Sequence, residues 1–451
     1  MNELKIDGGE ARVVGMWTDL VSREDILVAD TGEPLRVIYP GRPADDRGAD
    51  FCDAVIMTAG GIKSGAIEIH VNSADWARHG HHRDPVYNNV ILHVFLEEGR
   101  YPGARLANGE TVPSITLKNT AAGFNSTGFT LPCARIAVCY PEGVLQCLEE
   151  MGRLRFQEKV SAFCADIVLM VPGQALYRGI AGALGYHKNT QVFQNIAEVI
   201  TLERLEEIGG REITDGMCRL YRQSLLLGTA GFLPSQRKTY HTGMLGDGYV
   251  SFLEQVWRSF DSKYVLPPES WNLFKVRPAN LPVRRLVALA DIITRYRRKG
   301  LLSSVLDIMQ DSGSDDMNAL VDAFVCGADG CWLRCYDFGR PSSTVIPALL
   351  GRERASLIVV NVLLPFIAAF CPGELAEKAL AVYSRFPVQK GNAVEKHMLK
   401  QLGIKGAMLK TACRQQGLLH VYKTLCTRGR CPECRFNPAN GSLNFSIPLP
   451  V

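Results

Sequence analysis

Asp50 stands in the run Gly48-Ala49-Asp50-Phe51, just ahead of the apolar stretch Ala54–Thr58, and Glu68-Ile69-His70 follows eighteen positions on. Residues i and i+2 of a strand share a face, so Glu68 and His70 project together if Ala66–Val71 is a strand. If the two stretches pair as a hairpin through the glycine-rich Gly60–Gly65, Asp50 comes to lie near Glu68. Two carboxylates converging at strand ends make an oxygen-rich site for Mg²⁺ or Mn²⁺, with waters completing the shell. A cation there polarises a phosphoryl oxygen and acidifies a bound water. His70 would stand beside that water as base, proton donor or electrostatic partner. Asp53 is the fallback ligand. The alternation of Ile67, Ile69 and Val71 with Glu68 and His70 equally describes an amphipathic strand with a solvated face, and that alternative stays open.

Five of the nine histidines fall between positions 70 and 93: His70, His79, His81, His82 and His93. Neutral imidazoles suit Zn²⁺, Fe or Mn²⁺, so a second arrangement joins some of them to Glu68. His79, His81 and His82 are too close in sequence to act as three ligands on a regular helix or strand. They could instead grip phosphate with Arg78 and Arg83 beside them. Trp76 and Tyr87 offer faces for stacking bases, or belong to a core. His93, among apolar neighbours, fits a hydrogen-bonded core histidine as well as a functional one.

A third group is Cys413, Cys426, Cys431 and Cys434, spaced C-x12-C-x4-C-x2-C. The last three bracket a loop of Gly, Pro and charge, a shape that wraps a metal, and thiolates select Zn²⁺ or an iron–sulfur cluster. Cys413 lies in a helix more than three turns before the others, which leaves its membership open. Four cysteine ligands leave no free position, so this group would fasten structure rather than hydrolyse. Reduced surface thiols or a disulfide are the alternatives.

The elements that must position these residues divide the chain in three. Residues 1–140 read as an α/β domain, with strands at Leu35–Tyr39, Ala54–Thr58, Ala66–Val71, Asn89–Leu96 and Ile136–Tyr140, each bounded by turn residues. Residues 141–402 carry apolar residues at helical spacing, among them Gly143–Val171, Gln191–Glu207 and Gly351–Phe370. Residues 403–451 hold a helix, the cysteines and a Pro/Asn-rich tail. The 451 residues are 47% hydrophobic and 21% charged, which excludes a disordered or collagen-like chain and suits two or more domains. A formal charge of +4 is too small to argue for nucleic acid by itself, so a basic site would be local. Candidate patches are Arg153, Arg155 and Lys159; Arg295, Arg297, Arg298 and Lys299; and Arg414, Lys423, Arg428 and Arg430. Helix-end cations also satisfy carbonyls and dipoles. Ala355–Cys371 is apolar but contains Asn361 and Pro365, and reads as a buried, kinked helix rather than a membrane span. Scattered cysteines and the absence of an apolar leader point to a cytoplasmic protein.

The stretches GADFCDAVI and GAIEIHVNSADWARHGHHRDPVYNNVILHV resemble the signature of the prokaryotic family called domain of unknown function 2851. The likeness continues through Gln174–Tyr177, Ala183–Asn189, Arg277–Asn280, Arg352–Pro365 and Gly417–Lys423, nearly the whole chain, and it implies kinship without a reaction. More distantly, the order turn–Asp–strand–turn–strand with Glu-x-His resembles the PD-(D/E)XK nuclease superfamily. That resemblance implies a restriction-endonuclease-like mixed sheet, followed here by a mainly helical domain and a cysteine-rich C-terminal unit. It matches Asp50 and Glu68 to the metal-binding acids and His70 to the position of the Lys that assists the attacking water. Ala49 stands where the motif has Pro, and a neutral imidazole at His70 lacks the fixed positive charge of Lys. The implied activity is a divalent-metal phosphodiesterase acting on DNA or RNA. The other readings are a nucleic-acid-binding scaffold that has lost activity, and a His/Glu transition-metal hydrolase. Some nucleases of the superfamily also carry a cysteine-held cluster.

Overall fold

Val13, Met16, Trp17, Leu20 and Val21 recur at helical spacing and make one buried face of helix α1, Gly8–Arg23. That face packs with Ile67, Ile69, Leu92 and Val94 in a single core. These residues belong to strands β5 (Gly61–Asn72) and β6 (Val90–Glu97) of a mixed sheet. The computed structural model describes residues 8–23, 26–44, 47–100, 103–118, 131–134, 136–208, 214–237, 247–260, 264–311, 313 and 317–440.

The sheet also contains β1 (Leu27–Val28), β2 (Pro34–Tyr39), β3 (Arg42–Pro43), β4 (Phe51–Thr58) and the edge strand Ser114–Thr116. Its order is β1-β2-β4-β5-β6 and then the edge strand, with β3 also on β4. The expected hairpin is present: β4 and β5 are antiparallel, with Thr58 opposite Gly61 and Phe51 opposite Ile67. Its turn is tighter than the sequence suggests, because residues 61–65 join the strand rather than a loop. A register shift falls between Phe51 and Ala54, where Asp53 takes φ 62°. β5 and β6 are parallel, with Glu68 beside His93, and parallel neighbours need a crossover. Residues 73–89 supply it, as the short helix α2 (Asp75–Arg78) and two 3₁₀ turns. Ile136–Tyr140, expected as a strand, forms a short helix at Ile136–Cys139 that leads into Pro141–Leu169. Pro141 favours the first turn of a helix, and that helix claims the preceding residues despite their β-branched character.

The chain separates into two compact units. The first takes Met1–Gly152, Gly391–Lys410 and Arg414–Val451, so the residues after 410 group largely with the sheet instead of standing as a third body. Leu418, Val421, Tyr422, Cys426 and Phe436 share a core with Tyr39, Val55, Leu145 and Leu148. Gly417 permits this approach, since a Cβ there would lie 2.0 Å from the Leu148 carbonyl oxygen. The tail beyond 440 lies outside the described residues.

The second unit, Arg153–Lys390 with Thr411–Cys413, is helical. The expected helix Gln191–Glu207 is two, Tyr186–Val199 and Leu202–Glu207. Thr201 caps the second by accepting a hydrogen bond from the Arg204 N–H at 3.2 Å. The segment Arg352–Phe370 is long and apolar enough to cross a membrane by composition, yet more than half of its apolar window is buried inside the protein. Its middle turn, Val359–Leu363, is π-helical. That widening accommodates Pro365, which lacks an N–H and crowds the carbonyl four residues earlier.

Candidate functional site

Alternation along β5 decides where the chemistry sits. Ile67 and Ile69 face α1, so Glu68 and His70 face the crossover and are covered by it. Glu68 is 6% exposed and His70 1%, which removes the solvated-face alternative. Asp50, immediately ahead of β4, is tied to Glu68 and its neighbour Ile69. The Asp50 N–H donates to Glu68 Oε2 at 3.1 Å, and Asp50 Oδ2 accepts from the Ile69 N–H at 2.9 Å.

The crossover returns two histidines onto the same strand face. Gly80, at φ 79°, takes the left-handed conformation between the end of α2 and the turn His81–Arg83. That break places His79 and His81 on one side, whereas a helix continued through Gly80 would set residues i and i+2 on nearly opposite faces. The ligand atoms of His70, His79 and His81 all lie within 4.8 Å of one another. His70 Nε2 is 3.3 Å from His79 Nδ1 and 3.4 Å from Glu68 Oε1, and Glu68 Oε1 is 3.0 Å from His81 Nε2. A tetrahedral cation with bonds of about 2.0–2.1 Å spaces its donors about 3.3 Å apart. Three of the donor pairs stand close to that separation, and the three imidazole donors lie within 4.8 Å of one another. On its far side, His70 Nδ1 meets His93 Nε2 at 2.9 Å, the kind of outer partner that fixes the tautomer of a ligand.

Electrostatics favours the same occupant. Burial pushes the Asp50 carboxyl up to about 7, reinforced by the neighbouring Glu68, and pushes Glu68 up to about 8 against the Asp50 N–H. Burial also drives His70 down to about 2, with His93, His81 and His79 adding to it, and drives His81 and His93 down to about 4. His70, His81 and His93 are thus held neutral, the state in which an imidazole offers a lone pair to a metal. His81 Nε2 is buried without a hydrogen bond, and so is His82 Nδ1. Neutral imidazoles and carboxylates reluctant to ionise form a pocket that lacks positive charge. The donor set fits a divalent transition metal.

The other anticipated residues take different places. Trp76 is wholly buried and donates from Nε1 to the Arg105 carbonyl at 2.9 Å, so it supports the crossover and has no open face for a base. Tyr87 stacks on His81 with ring centroids 3.8 Å apart. Arg78 is exposed and pairs with Asp75 at 2.9 Å, and Arg47 pairs with Asp84 at 2.7 Å. His82 is half-buried. Asp53, the fallback ligand, instead accepts from the Tyr422 hydroxyl at 2.5 Å and lies 3.6 Å from Arg42. In the helical unit, Arg295 donates to the carbonyls of Asp322, Ala323 and Val325, Arg297 pairs with Asp215, and Lys299 pairs with Asp307. That patch serves helix ends and local acids. Cys426, Cys431 and Cys434 are in the sheet-bearing unit, whereas Cys413 is buried in the core of the helical one.

The model of the family described as "protein of unknown function (DUF2851)" matches residues 10–390. The chain belongs to that family. No curated protein and no solved structure matches it. In this DUF2851 protein the matched stretch includes Asp50, Glu68 and all five clustered histidines, while Cys426, Cys431 and Cys434 fall beyond it.

Proposed function

We propose that the protein is a metal-dependent phosphodiesterase acting on DNA or RNA, with its cation held by Glu68, His70, His79 and His81. One observation carries the reading: three imidazole donors lie within 4.8 Å of one another, two of them within 3.4 Å of Glu68 Oε1, with Glu68 and His70 nearly fully buried on one strand face. An imidazole-rich donor set prefers Zn²⁺, Mn²⁺ or Fe over Mg²⁺, so the reading leans toward the His/Glu transition-metal site rather than one held by Asp50 and Glu68 alone. When bound, the cation would polarise the phosphoryl oxygen and acidify a water in an added coordination position.

Each side chain then has a defined task. Glu68 and His70 hold their donor atoms rigidly because a strand carries them and His93 braces the ring. His79 is exposed and marks the side from which substrate approaches. Asp50, tied to Ile69 through one oxygen, stands beside Glu68 to accept a proton from the attacking water. The new phosphorus–oxygen bond forms as the ester bond breaks, and the departing oxygen takes up a proton. Arg78, Arg83 and His82, next along the crossover, offer positive charge and donors to a phosphate backbone. The phosphodiester class rests on the resemblance to PD-(D/E)XK nucleases. An acid ahead of one strand, with Glu-x-His on its antiparallel partner in a mixed sheet, agrees with the restriction-endonuclease type.

The test is cleavage of bis(p-nitrophenyl) phosphate and of DNA and RNA oligonucleotides by protein stripped with chelator and reloaded with Mn²⁺ or Zn²⁺. Wild type is expected to cleave, with Glu68→Gln and His81→Gln reduced at least about 100-fold. Metal binding without phosphodiester cleavage would move the substrate to another ester or amide. Salt-sensitive DNA binding with no metal uptake would favour the inactive scaffold.

A further inference from the structure

We propose that the helical unit carries a binding surface for single-stranded nucleic acid, in which Arg354, Lys188 and Lys275 take backbone phosphates and the Phe274 ring takes a base. It rests on the nucleic-acid part of the proposed function and needs neither the metal nor cleavage. The surface forms where the connection 271–280 runs beside the first turn of the helix Tyr186–Val199. Asn189 and Asn272 join the two reciprocally. The Asn189 side-chain amide donates to the Asn272 carbonyl at 3.0 Å, and the Asn272 N–H donates to Asn189 Oδ1 at 2.9 Å. At one end Lys188 Nζ donates to the Phe274 carbonyl at 2.7 Å, and Lys188 and Lys275 lie 5.6 and 5.4 Å from the centre of the Phe274 ring. At the other end the Tyr186 hydroxyl donates to Asn280 Oδ1 at 3.2 Å, and Asn280 also accepts from Arg285 Nη2. The Tyr186 ring carries two guanidiniums, Arg354 at 4.4 Å and Arg285 at 5.3 Å.

Positive charge gathers here without the acids that close it elsewhere in the unit. Arg352, at the start of the helix Arg352–Ile358, pairs with Asp322 and donates to Asn318. Arg354, two positions on, has no hydrogen bond or ion pair from its guanidinium among the described residues, and neither does Lys275 from its ammonium. Arg285 is 4% exposed, and its Nε is buried without a hydrogen bond. Burial holds the Arg285 guanidinium below its ordinary value, and against the Tyr186 hydroxyl Arg354 lowers it further. Glu353 acts on Tyr186 as well, and Lys390 pairs with that carboxylate at 3.7 Å. Two cations on one ring repel each other, and an anion beside them relieves the repulsion. The cations stand in two groups along one connection rather than around one point, which suits a chain of phosphates over a single anion. Phe274 is 44% exposed. An exposed ring between two ammoniums sets a π-face next to phosphate-binding charge, the combination that holds single strands without sequence readout. Of the three non-glycine residues at positive φ among the described residues, two are Tyr186 at 52° and Lys275 at 51°, so backbone strain is carried where the cations gather.

The experiment is fluorescence anisotropy of labelled oligo-dT and oligo-U strands, titrated in chelator with the full chain carrying Glu68→Gln, so that binding is read without metal or cleavage. Expected is binding that weakens steeply with salt. Arg354→Gln and Lys275→Gln together should raise Kd about tenfold or more and flatten the slope of log Kd against log salt by about one to two. Arg352→Gln, whose charge Asp322 already meets, should change Kd by less than about twofold. Phe274→Ala should raise it about fivefold or more. Should Arg354→Gln fail to fold, ultraviolet crosslinking of the Glu68→Gln protein to an iodouracil-bearing strand decides, with adducts expected on residues 271–280 or on Tyr186. The proposal is overturned if no strand binds at low salt, if Kd and slope are unchanged in the variants, or if adducts map outside this surface. It is overturned equally if inorganic polyphosphate binds as tightly and Phe274→Ala loses nothing. Unchanged binding beside cleavage by wild type would sink this surface and leave the hydrolase reading standing. Weakened binding beside a wild type that never cleaves would do the reverse.

Discussion

The two units bury charge in opposite ways. In the helical unit Arg222 is fully buried, and all three guanidinium nitrogens are used: Nε donates to the Leu205 carbonyl at 2.8 Å, Nη1 to Thr294 Oγ1 at 3.0 Å and Nη2 to the Ile208 carbonyl at 2.9 Å. Those carbonyls end the helix Leu202–Glu207, so the side chain satisfies groups that a helix terminus leaves open. Arg284 donates from Nη1 and Nη2 to the carbonyls of Trp332, Cys335 and Ala348, while its Nε is buried without a hydrogen bond. In the sheet-bearing unit the buried polar atoms face one another: Glu68 Oε1 meets two imidazoles, and His81 Nε2 has no hydrogen bond. Arg222 is closed by its own chain, whereas the Glu68 cluster sets a carboxylate and neutral imidazoles against one another.

That contrast makes measurable claims, the largest being on stability. Arg222→Ala should cost about 3 kcal/mol by chemical denaturation, because it orphans two buried carbonyls and opens a cavity. Glu68→Gln in metal-free protein should stay within about 1 kcal/mol of wild type, since it removes a carboxylate already held in an unfavourable place. Equal losses in both variants would erase the distinction. A smaller effect concerns Asp291 of the helical unit, which burial pushes up to about 7 although Arg219 lies 3.8 Å away. Its folded pKa is raised, so its contribution is complete below the unfolded value and is lost as pH rises through about 7. Between about pH 4 and 7 wild type should therefore lose about 2 kcal/mol more stability than Asp291→Asn. Parallel profiles would show that Arg219 already compensates the ionised form.

Much of the arrangement was legible in the residues. Short apolar runs bounded by turn residues located β4, β5 and β6 to within a few positions, and the spacing of Asp50 and Glu68 anticipated their meeting across the hairpin. What could not be read was burial: the same alternation describes a wet or a covered face, and only the crossover laid over Glu68 and His70 distinguishes them. The pairing of His79 with His81 was obscured because a helix continued from α2 would set them on nearly opposite faces, and a single left-handed glycine brings them together. Trp76 resembled a stacking surface but belongs to the packing beneath the crossover.

The most direct test is a crystal structure of Zn²⁺- or Mn²⁺-loaded protein with anomalous data at the metal edge. The account predicts a peak within about 2.0–2.2 Å of one nitrogen each from His70, His79 and His81 and of a Glu68 oxygen. A loaded crystal with no peak there, or a peak bound by Asp50 and Glu68 without any imidazole, would contradict it.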